Sequence, residues 1–414
     1  MLSTQAGYYA GRGMGPQPTR VFALLGLVVS CAGTRHAGFA STPADLEAER
    51  RCQEGSTAAC GGLGRTLIRR HATERDTERG LVLLEIACGA GDQTGCTDLA
   101  RFYLEGSNGE SSRARARDLA GRACDGGFGP GCTVLGEAIE RGRGNDPARA
   151  DAYRRACTLA DALGCEQYAV AVWNTGADGD RAAGEQALGA ACGLGRRLSC
   201  HRLALVRLQD PKTRRDGAAL LARSCDRGFG PSCETIALSS APLLSGGDGD
   251  CSRAAPIAQK ACALEQNGAC AVSEACRLHG PEAAQALERL RAGCDRRIPL
   301  ACLYWADAED QRPDPERERA QDAYRTACRG AQGGVVAQVA CTRLHASELA
   351  AAQSSFDADS ALASLRSECE RSSGEACCEL AEQQRTGKWM PADADKAREL
   401  RERACRLGCD RCCR

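Results

Sequence analysis

Cysteines recur in this chain in pairs eight positions apart, and the pairs themselves recur at a near-constant interval. The clearest copy, Cys124-Asp-Gly-Gly-Phe-Gly-Pro-Gly-Cys132, returns almost verbatim as Cys225-Asp-Arg-Gly-Phe-Gly-Pro-Ser-Cys233. The same frame joins Cys52 with Cys60, Cys88 with Cys96, Cys157 with Cys165, Cys192 with Cys200 and Cys262 with Cys270. It returns as Cys294 with Cys302, Cys369 with Cys377 and Cys405 with Cys413, while Cys328 with Cys341 is a stretched copy. Steps between successive first cysteines run 36, 36, 33, 35, 33, 37, 32, 34, 41 and 36 residues. An internal period of this size is that of a helix-turn-helix array, and it overrides the prior of two or three separate domains for 414 residues.

The chain carries 28 cysteines, a density at odds with a reducing cytosol; at fixed paired spacing it reads as a disulfide framework in an exported protein. Lys+Arg and Asp+Glu are both 54, so there is no basic excess of the kind a nucleic-acid footprint needs. Aromatic residues are only 4% of the chain, so its helices must pack through Ala, Leu and Gly.

Each repeat reads as helix A, a tight turn, helix B and a variable loop. Four residues before the first cysteine stand Leu84, Ala120, Tyr153, Leu188, Leu221, Ala258, Leu290, Tyr324 and Leu365, and the residue just before it is often Ala, as at Ala87, Ala123, Ala156 and Ala191. That spacing makes one helical stripe. Three residues after the second cysteine stand Leu63, Leu99, Leu135, Tyr168, Leu203, Ile236, Trp305, Leu344 and Leu380, usually followed by Gly or Ala, which lets a neighbouring helix approach. Gly55, Gly91, Gly127, Gly195, Gly228 and Gly408 lie three residues after the first cysteine, where a left-handed helix cap is expected. Glu265 and Arg297 replace that glycine in the seventh and eighth repeats, and the ninth turn is expanded. Pro130 and Pro231 open helix B, and Pro281, Pro315 and Pro391 sit near the starts of helix A.

Two cysteines eight apart across such a turn face each other at bridging distance, closing loops of about nine residues worth roughly 2.5 kcal/mol each in the chain-entropy model. Zinc is a poorer reading, because the frame has no histidine partners. Cys251, Cys276, Cys378, Cys409 and Cys412 are left over. Cys251 and Cys276 make a poor second bridge on helix rise, which sets them about 16 Å and 9 Å from the turn. Cys409-x-x-Cys412 is open to redox or metal chemistry, but no histidine follows to make a haem site.

The alanine before the turn, the turn glycine, Leu-Gly or Leu-Ala on helix B, and the entries Asp146-Pro-Ala-Arg149-Ala150 and Asp393-Ala-Asp-Lys396-Ala397 resemble the Sel1-like repeat, a relative of the tetratricopeptide repeat. The paired cysteines are similar to the cysteine-rich Helicobacter-type members. The resemblance covers residues 45–414 and implies an all-α, right-handed α/α solenoid of about eleven helix-turn-helix repeats. The last repeat lacks a helix B, so its helix A is expected to cap the array.

Ahead of the repeats, Arg20 and the apolar run Val21–Val29 form a signal-peptide pattern too short to span a bilayer. Val28-Val-Ser-Cys31 resembles a bacterial lipobox, which implies cleavage before Cys31 and its lipidation; cleavage after Ala37 or Ala40 is the alternative. Met14 is a candidate start. Residues 1–31 are thus assigned to the signal, 32–44 to a linker and 45–414 to the solenoid.

Catalytic signatures are absent from the sequence. The histidines His36, His71, His201, His279 and His345 are scattered, and no His-Glu-x-x-His, phosphate loop or Gly-x-Ser-x-Gly occurs. None of Lys212, Lys260, Lys388 and Lys396 has a serine three residues upstream, although the Helicobacter-type resemblance implies penicillin binding and β-lactamase activity. The expectation is a non-catalytic, cofactor-free scaffold of the cell envelope. It would bind a protein or peptide, or a cell-wall peptide, on the concave helix A face or at the loops of Trp173, Trp305 and Trp389, with a β-lactam or peptidoglycan-amide hydrolase as the alternative. Inter-repeat packing is the competing role for each tryptophan.

Overall fold

The computed structural model describes residues 42–413 apart from 71–72, 107–108, 142–146, 174–179, 242–243, 245–249, 313–315, 332–333 and 410–411. The signal and Cys31 assignments, and Pro315, therefore lie outside the described residues. Among those described there are twenty-one α-helices and no strand. They fall into two compact bodies, one ending at Leu83 and the other beginning at Leu84. In the first, helices Pro43–Gln53 and Thr57–Arg70 are joined by the Cys52–Cys60 bridge and by an ion pair of 2.5 Å between Arg70 and Asp45. The second is an α/α solenoid in which every substantial helix contact is with the next helix or the next but one. Numbering repeats by their cysteine pairs, Cys52 and Cys60 mark repeat 1, and Cys405 and Cys413 mark repeat 11.

The turn explains the spacing of eight. In repeat 3, the amide of Gly127 donates to the carbonyl of Cys124, and the amide of Phe128 to that of Ala123. This pair of bonds is the Schellman motif, and it ends helix A at Asp125, one residue after Cys124, with Gly126 as the cap. Phe128 is at once the end of the motif and the N-cap of helix B, and its carbonyl accepts from the amide of Cys132. One cysteine thus lies in the last turn of helix A and its mate in the first turn of helix B. In the nine such repeats from Cys52–Cys60 to Cys369–Cys377 the Cα atoms stand 4.3–4.7 Å apart. The same two bonds recur in every repeat except the ninth. There the separation is 13 residues, yet the Cα atoms are still 4.8 Å apart.

The motif demands a left-handed residue, and Gly55, Gly91, Gly127, Gly195, Gly228 and Gly408 all supply it, with φ between 78° and 95°. Four repeats reach the same conformation without glycine, at Ala160, Glu265, Arg297 and Ser372, with φ of 58–79°. A side chain in this region costs about 1–2 kcal/mol. Part of this is offset because glycine is floppier in the unfolded chain. Arg297→Gly is therefore expected to raise stability by about 0.5–1 kcal/mol, read as an upward shift of the thermal midpoint; a lower midpoint would contradict the turn assignment.

The stripe on helix A is fully interior. Every residue four before the first cysteine, from Leu84 to Leu365, is buried, and Ala87, Ala123, Ala156, Ala191, Ala261, Ala327 and Ala404 have no exposed surface. Ala87, Ala123 and Ala156 meet the residue just before the second cysteine, and that residue is always small in repeats 1 to 10: Ala59, Gly95, Gly131, Gly164, Ser199, Ser232, Ala269, Ala301, Ala340 and Ala376. A Cβ placed on Gly131 would stand 2.5 Å from that of Ala123, and one on Gly95 2.9 Å from that of Ala87. On helix B, Leu63, Leu99, Leu203, Leu344 and Leu380 are buried, whereas Leu135, Tyr168, Ile236 and Trp305 are half-buried.

Successive repeats are also joined by polar contacts at the residue after the second cysteine. Thr133 donates to Asp161 at 2.5 Å, His201 Nδ1 lies 3.1 Å from Ser232, Thr342 is 3.3 Å from Ser373, and Glu234 accepts from the amides of Ala269 and Gly268. In each case the partner sits at the start of the next helix B, whose first amides have no intrahelical acceptor. Glu166 has the fullest set: Ser199 at 2.6 Å, Arg202 at 2.8 Å and Arg196. Burial pushes the Glu166 carboxyl up, but Arg196, Ser199 and Arg202 outweigh it and hold it below its ordinary value. A carboxyl lowered on folding adds stability above its unfolded pKa and loses it as pH falls through the folded one. Glu166→Gln should thus cost about 1.5–3 kcal/mol at pH 7. The gap to the wild type should narrow once pH drops below the carboxyl's ordinary 4.5. Denaturant melts at the two pH values check this, and an equal gap at both would contradict it.

Candidate ligand groove between repeats 8 and 9

Each expected pair is bridged in the structure. Cys52–Cys60, Cys88–Cys96, Cys124–Cys132, Cys157–Cys165, Cys192–Cys200 and Cys225–Cys233 close the first six turns. Cys262–Cys270, Cys294–Cys302, the stretched Cys328–Cys341, Cys369–Cys377 and Cys405–Cys413 close the rest.

Four of the five leftover cysteines are bridged as well, one pair against the expectation from helix rise. Cys251 and Cys276 are joined with Cα atoms 5.4 Å apart. The rise estimate takes both helices as straight and side by side, but helix Cys251–Ala263 carries Pro256 inside it, and Asn267–Ala275 is only nine residues long. Cys378 bridges Cys412, tying the end of the chain to helix Gly374–Thr386 of repeat 10. The Cys409-x-x-Cys412 pair is thus divided: Cys412 is in that bridge, while Cys409 is buried beside helix Ala394–Arg406.

The tryptophans do not share a setting. Trp173 ends helix Ala162–Trp173 and lies against Gly184 so closely that a Cβ there would overlap the indole. Trp389 follows the left-handed cap Gly387, with the Lys388 ammonium 5.2 Å from its ring centre. Trp305 is not in a loop, as expected from the sequence, but in the middle of helix Pro299–Asp310. Its place three residues after Cys302, on the helix B stripe, already put it there.

Around Trp305 a hollow of about 750 Å³ opens. Its walls are helix A of repeat 8 (Ala283–Asp295), the turn that follows, and helix A of repeat 9 (Arg317–Gly330). Arg291 and Asp295 come from the first wall, Arg297 from the turn, and Asp322 and Arg329 from the second, with Arg319 beside them. Arg319 pairs with Glu316, and Asp322 with Arg325 at 2.5 Å. Arg291, Arg297 and Arg329 make no ion pair among the described residues. One half-buried indole is therefore ringed by exposed guanidinium groups, an arrangement able to take carboxylates in two-pronged hydrogen bonds around an apolar centre.

A second hollow, of about 430 Å³, borders helix B of repeat 8 and includes Leu278, His279, Leu287, Tyr304 and Asp307. Burial pushes the Asp307 carboxyl above its ordinary range, against the pull of Arg343. Gln311 donates to Asp307 at 2.7 Å, and Arg343 lies 3.7 Å from both Asp307 and Glu375. Arg343, on helix B of repeat 9, thus stands between Asp307 on that of repeat 8 and Glu375 on that of repeat 10.

No family model matches the chain, and no curated protein does. Among solved structures, c5321, a protective antigen present in uropathogenic Escherichia coli strains and displaying an SLR fold, aligns at a TM-score of 0.61 with 18% identity. The alignment covers 87% of this chain and 79% of that one. This chain has the Sel1-like repeat fold. A Sel1 repeat protein from Oxalobacter formigenes also aligns, at 17% identity over 83% of this chain and 90% of that one, with a TM-score of 0.36. Yeast Tom70 aligns at 11% identity over 86% and 92%, with a TM-score of 0.37.

Within this Sel1-like solenoid, sequence reasoning placed Trp305 and the helix A faces on its shortlist separately. It did not join them, nor did it pick out Arg291, Arg297 and Arg329 as a group. The available signal was positional. Repeat 8 has Arg where six repeats have Gly, and Trp where the others have Leu, Ile, Tyr or Ser, while the neighbouring repeat carries the only expanded turn.

Proposed function

We propose that the chain is an exported, lipid-anchored scaffold that holds a protein or peptide segment of the cell envelope in the hollow around Trp305. The observation that carries this reading is the hollow itself, where an indole and several arginines meet between two helix A walls. The thirteen bridges among the described residues are the chemistry of an oxidising, extracytoplasmic setting. No described helix is long and apolar enough to cross a membrane.

Two measurements test the reading. Fractionation of cells should find the wild type in detergent-extractable membranes and Cys31→Ser in the soluble extract; equal partition would remove the anchor. Crosslinking in intact envelopes should capture a reproducible protein partner. Muropeptides recovered without a protein would point to wall binding instead, and nitrocefin turnover by the purified protein would point to a hydrolase.

A further inference from the structure

We propose that the hollow between repeats 8 and 9 is a receptor for an acidic peptide segment. Its carboxylates would lie on Arg291, Arg297 and Arg329, and an intervening apolar side chain on Trp305. The inference rests on the scaffold reading and adds the chemistry of what is held.

Departures from the repeat pattern carry the argument. A repeat array needs a left-handed turn and a medium-sized residue on helix B, and glycine and leucine meet those needs in most of the other repeats. Repeat 8 departs at both positions, with Arg297 and Trp305, and both side chains line one hollow. The Arg297 backbone has φ of 60°, a conformation unfavourable for any side chain, so the turn itself gains nothing from arginine. Ala160, Glu265 and Ser372 share that conformation, and what sets Arg297 apart is that it lines the hollow. The third departure, the expanded turn of repeat 9, begins next to Arg329 and Gly330 on the facing wall.

Charge selects the ligand. The walls present four arginines, Arg291, Arg297, Arg319 and Arg329, against Asp295 and Asp322. An anion is favoured, but the two aspartates interrupt the positive surface. A nucleic-acid backbone, with phosphate at every step, would meet both aspartates. A peptide places carboxylates at intervals and apolar side chains between them, which matches guanidinium groups spaced around an indole. Planar guanidinium forks suit carboxylates, and Trp305 gives an adjacent leucine or tyrosine a half-buried apolar face.

The test uses the full disulfide-bonded protein and a fluorescein-labelled peptide alternating glutamate with leucine, read by anisotropy. A glutamine–leucine peptide and a single-stranded oligonucleotide serve as comparison ligands. Arg297→Gly and Trp305→Leu are the informative single variants, because each installs the residue that sibling repeats use at that position and so keeps the fold. The glutamate peptide should bind. Each single variant should weaken it about tenfold, the scale of one charge-assisted contact for Arg297→Gly and of one aromatic contact for Trp305→Leu, and the triple variant Arg291→Ala/Arg297→Gly/Arg329→Ala should abolish binding. The glutamine peptide should bind at least about tenfold more weakly. Equal binding of the two peptides, unchanged binding by the triple variant, or an oligonucleotide that binds as tightly as the glutamate peptide would each overturn the proposal. Envelope crosslinking separates it from the scaffold reading. A partner captured equally by the wild type and the triple variant sustains the scaffold but overturns the groove. Peptide binding lost in the triple variant, with no partner captured by the wild type, sustains the groove and fails the scaffold.

Discussion

Reduction is expected to unfold this protein. Each short staple contributes roughly 2.5 kcal/mol by the chain-entropy model, and ten bridges have the separation of eight. Their sum exceeds the roughly 5–15 kcal/mol that separates folded from unfolded states in ordinary domains. The interior cannot make up the difference, because its contacts are mostly alanine on alanine or glycine at the turns and single leucines between helices. Such side chains bury little apolar area. Circular dichroism with and without a phosphine reductant should show a cooperative helical melt only in the oxidised protein. A reduced chain that keeps its helix content and its midpoint would show that packing alone sustains the solenoid.

The second large effect is expected at Tyr153 and Gly136. Tyr153 is the bulkiest fully buried side chain of the early repeats, and it occupies the space left by the missing side chain of Gly136 on the adjoining helix B. A Cβ on Gly136 would stand 2.6 Å from the ring's Cδ1. Tyr153→Ala should therefore cost about 3–5 kcal/mol through the cavity it leaves. Gly136→Ala should cost about 1–3 kcal/mol through overlap with the ring. Combined with Tyr153→Leu, Gly136→Ala should cost markedly less than the two single changes added together, because the smaller side chain vacates what the new methyl fills. Simple additivity in denaturant melts would mean that the two residues do not share one space.

Much of this architecture was legible because the repeat makes its own alignment. Eleven versions of one unit show which positions stay apolar, small or glycine. The helix A stripe from Leu84 to Leu365 and the glycine turns follow from that alone. The small residue before the second cysteine was equally regular, but Ala, Gly and Ser there look unremarkable until Ala123 and Gly131 are seen to touch. Ala160 and Ser372 hid their left-handed turns because nothing in either residue type announces one. The contacts between repeats were opaque for a different reason. Thr133, Glu166, His201, Glu234 and Thr342 do the same work with different chemistry, so no residue pattern marks the position. The groove was half visible. Arg297 stood out as a departure, but only the folded chain sets it beside Trp305 and faces both with a helix from the next repeat.

The staples also decide how such a chain would bear tension. A protein held at one end and pulled at the other lengthens by releasing folded residues into the strand. Here each pair eight apart short-circuits its own turn, so the pulling force passes from sulfur to sulfur and the residues between never enter the loaded path. Every short staple withholds about 25 Å of extended chain. Helices would still peel away, but the turns would survive as closed loops. On relaxation, each would bring the end of its helix A back beside the start of its helix B, ready to rewind.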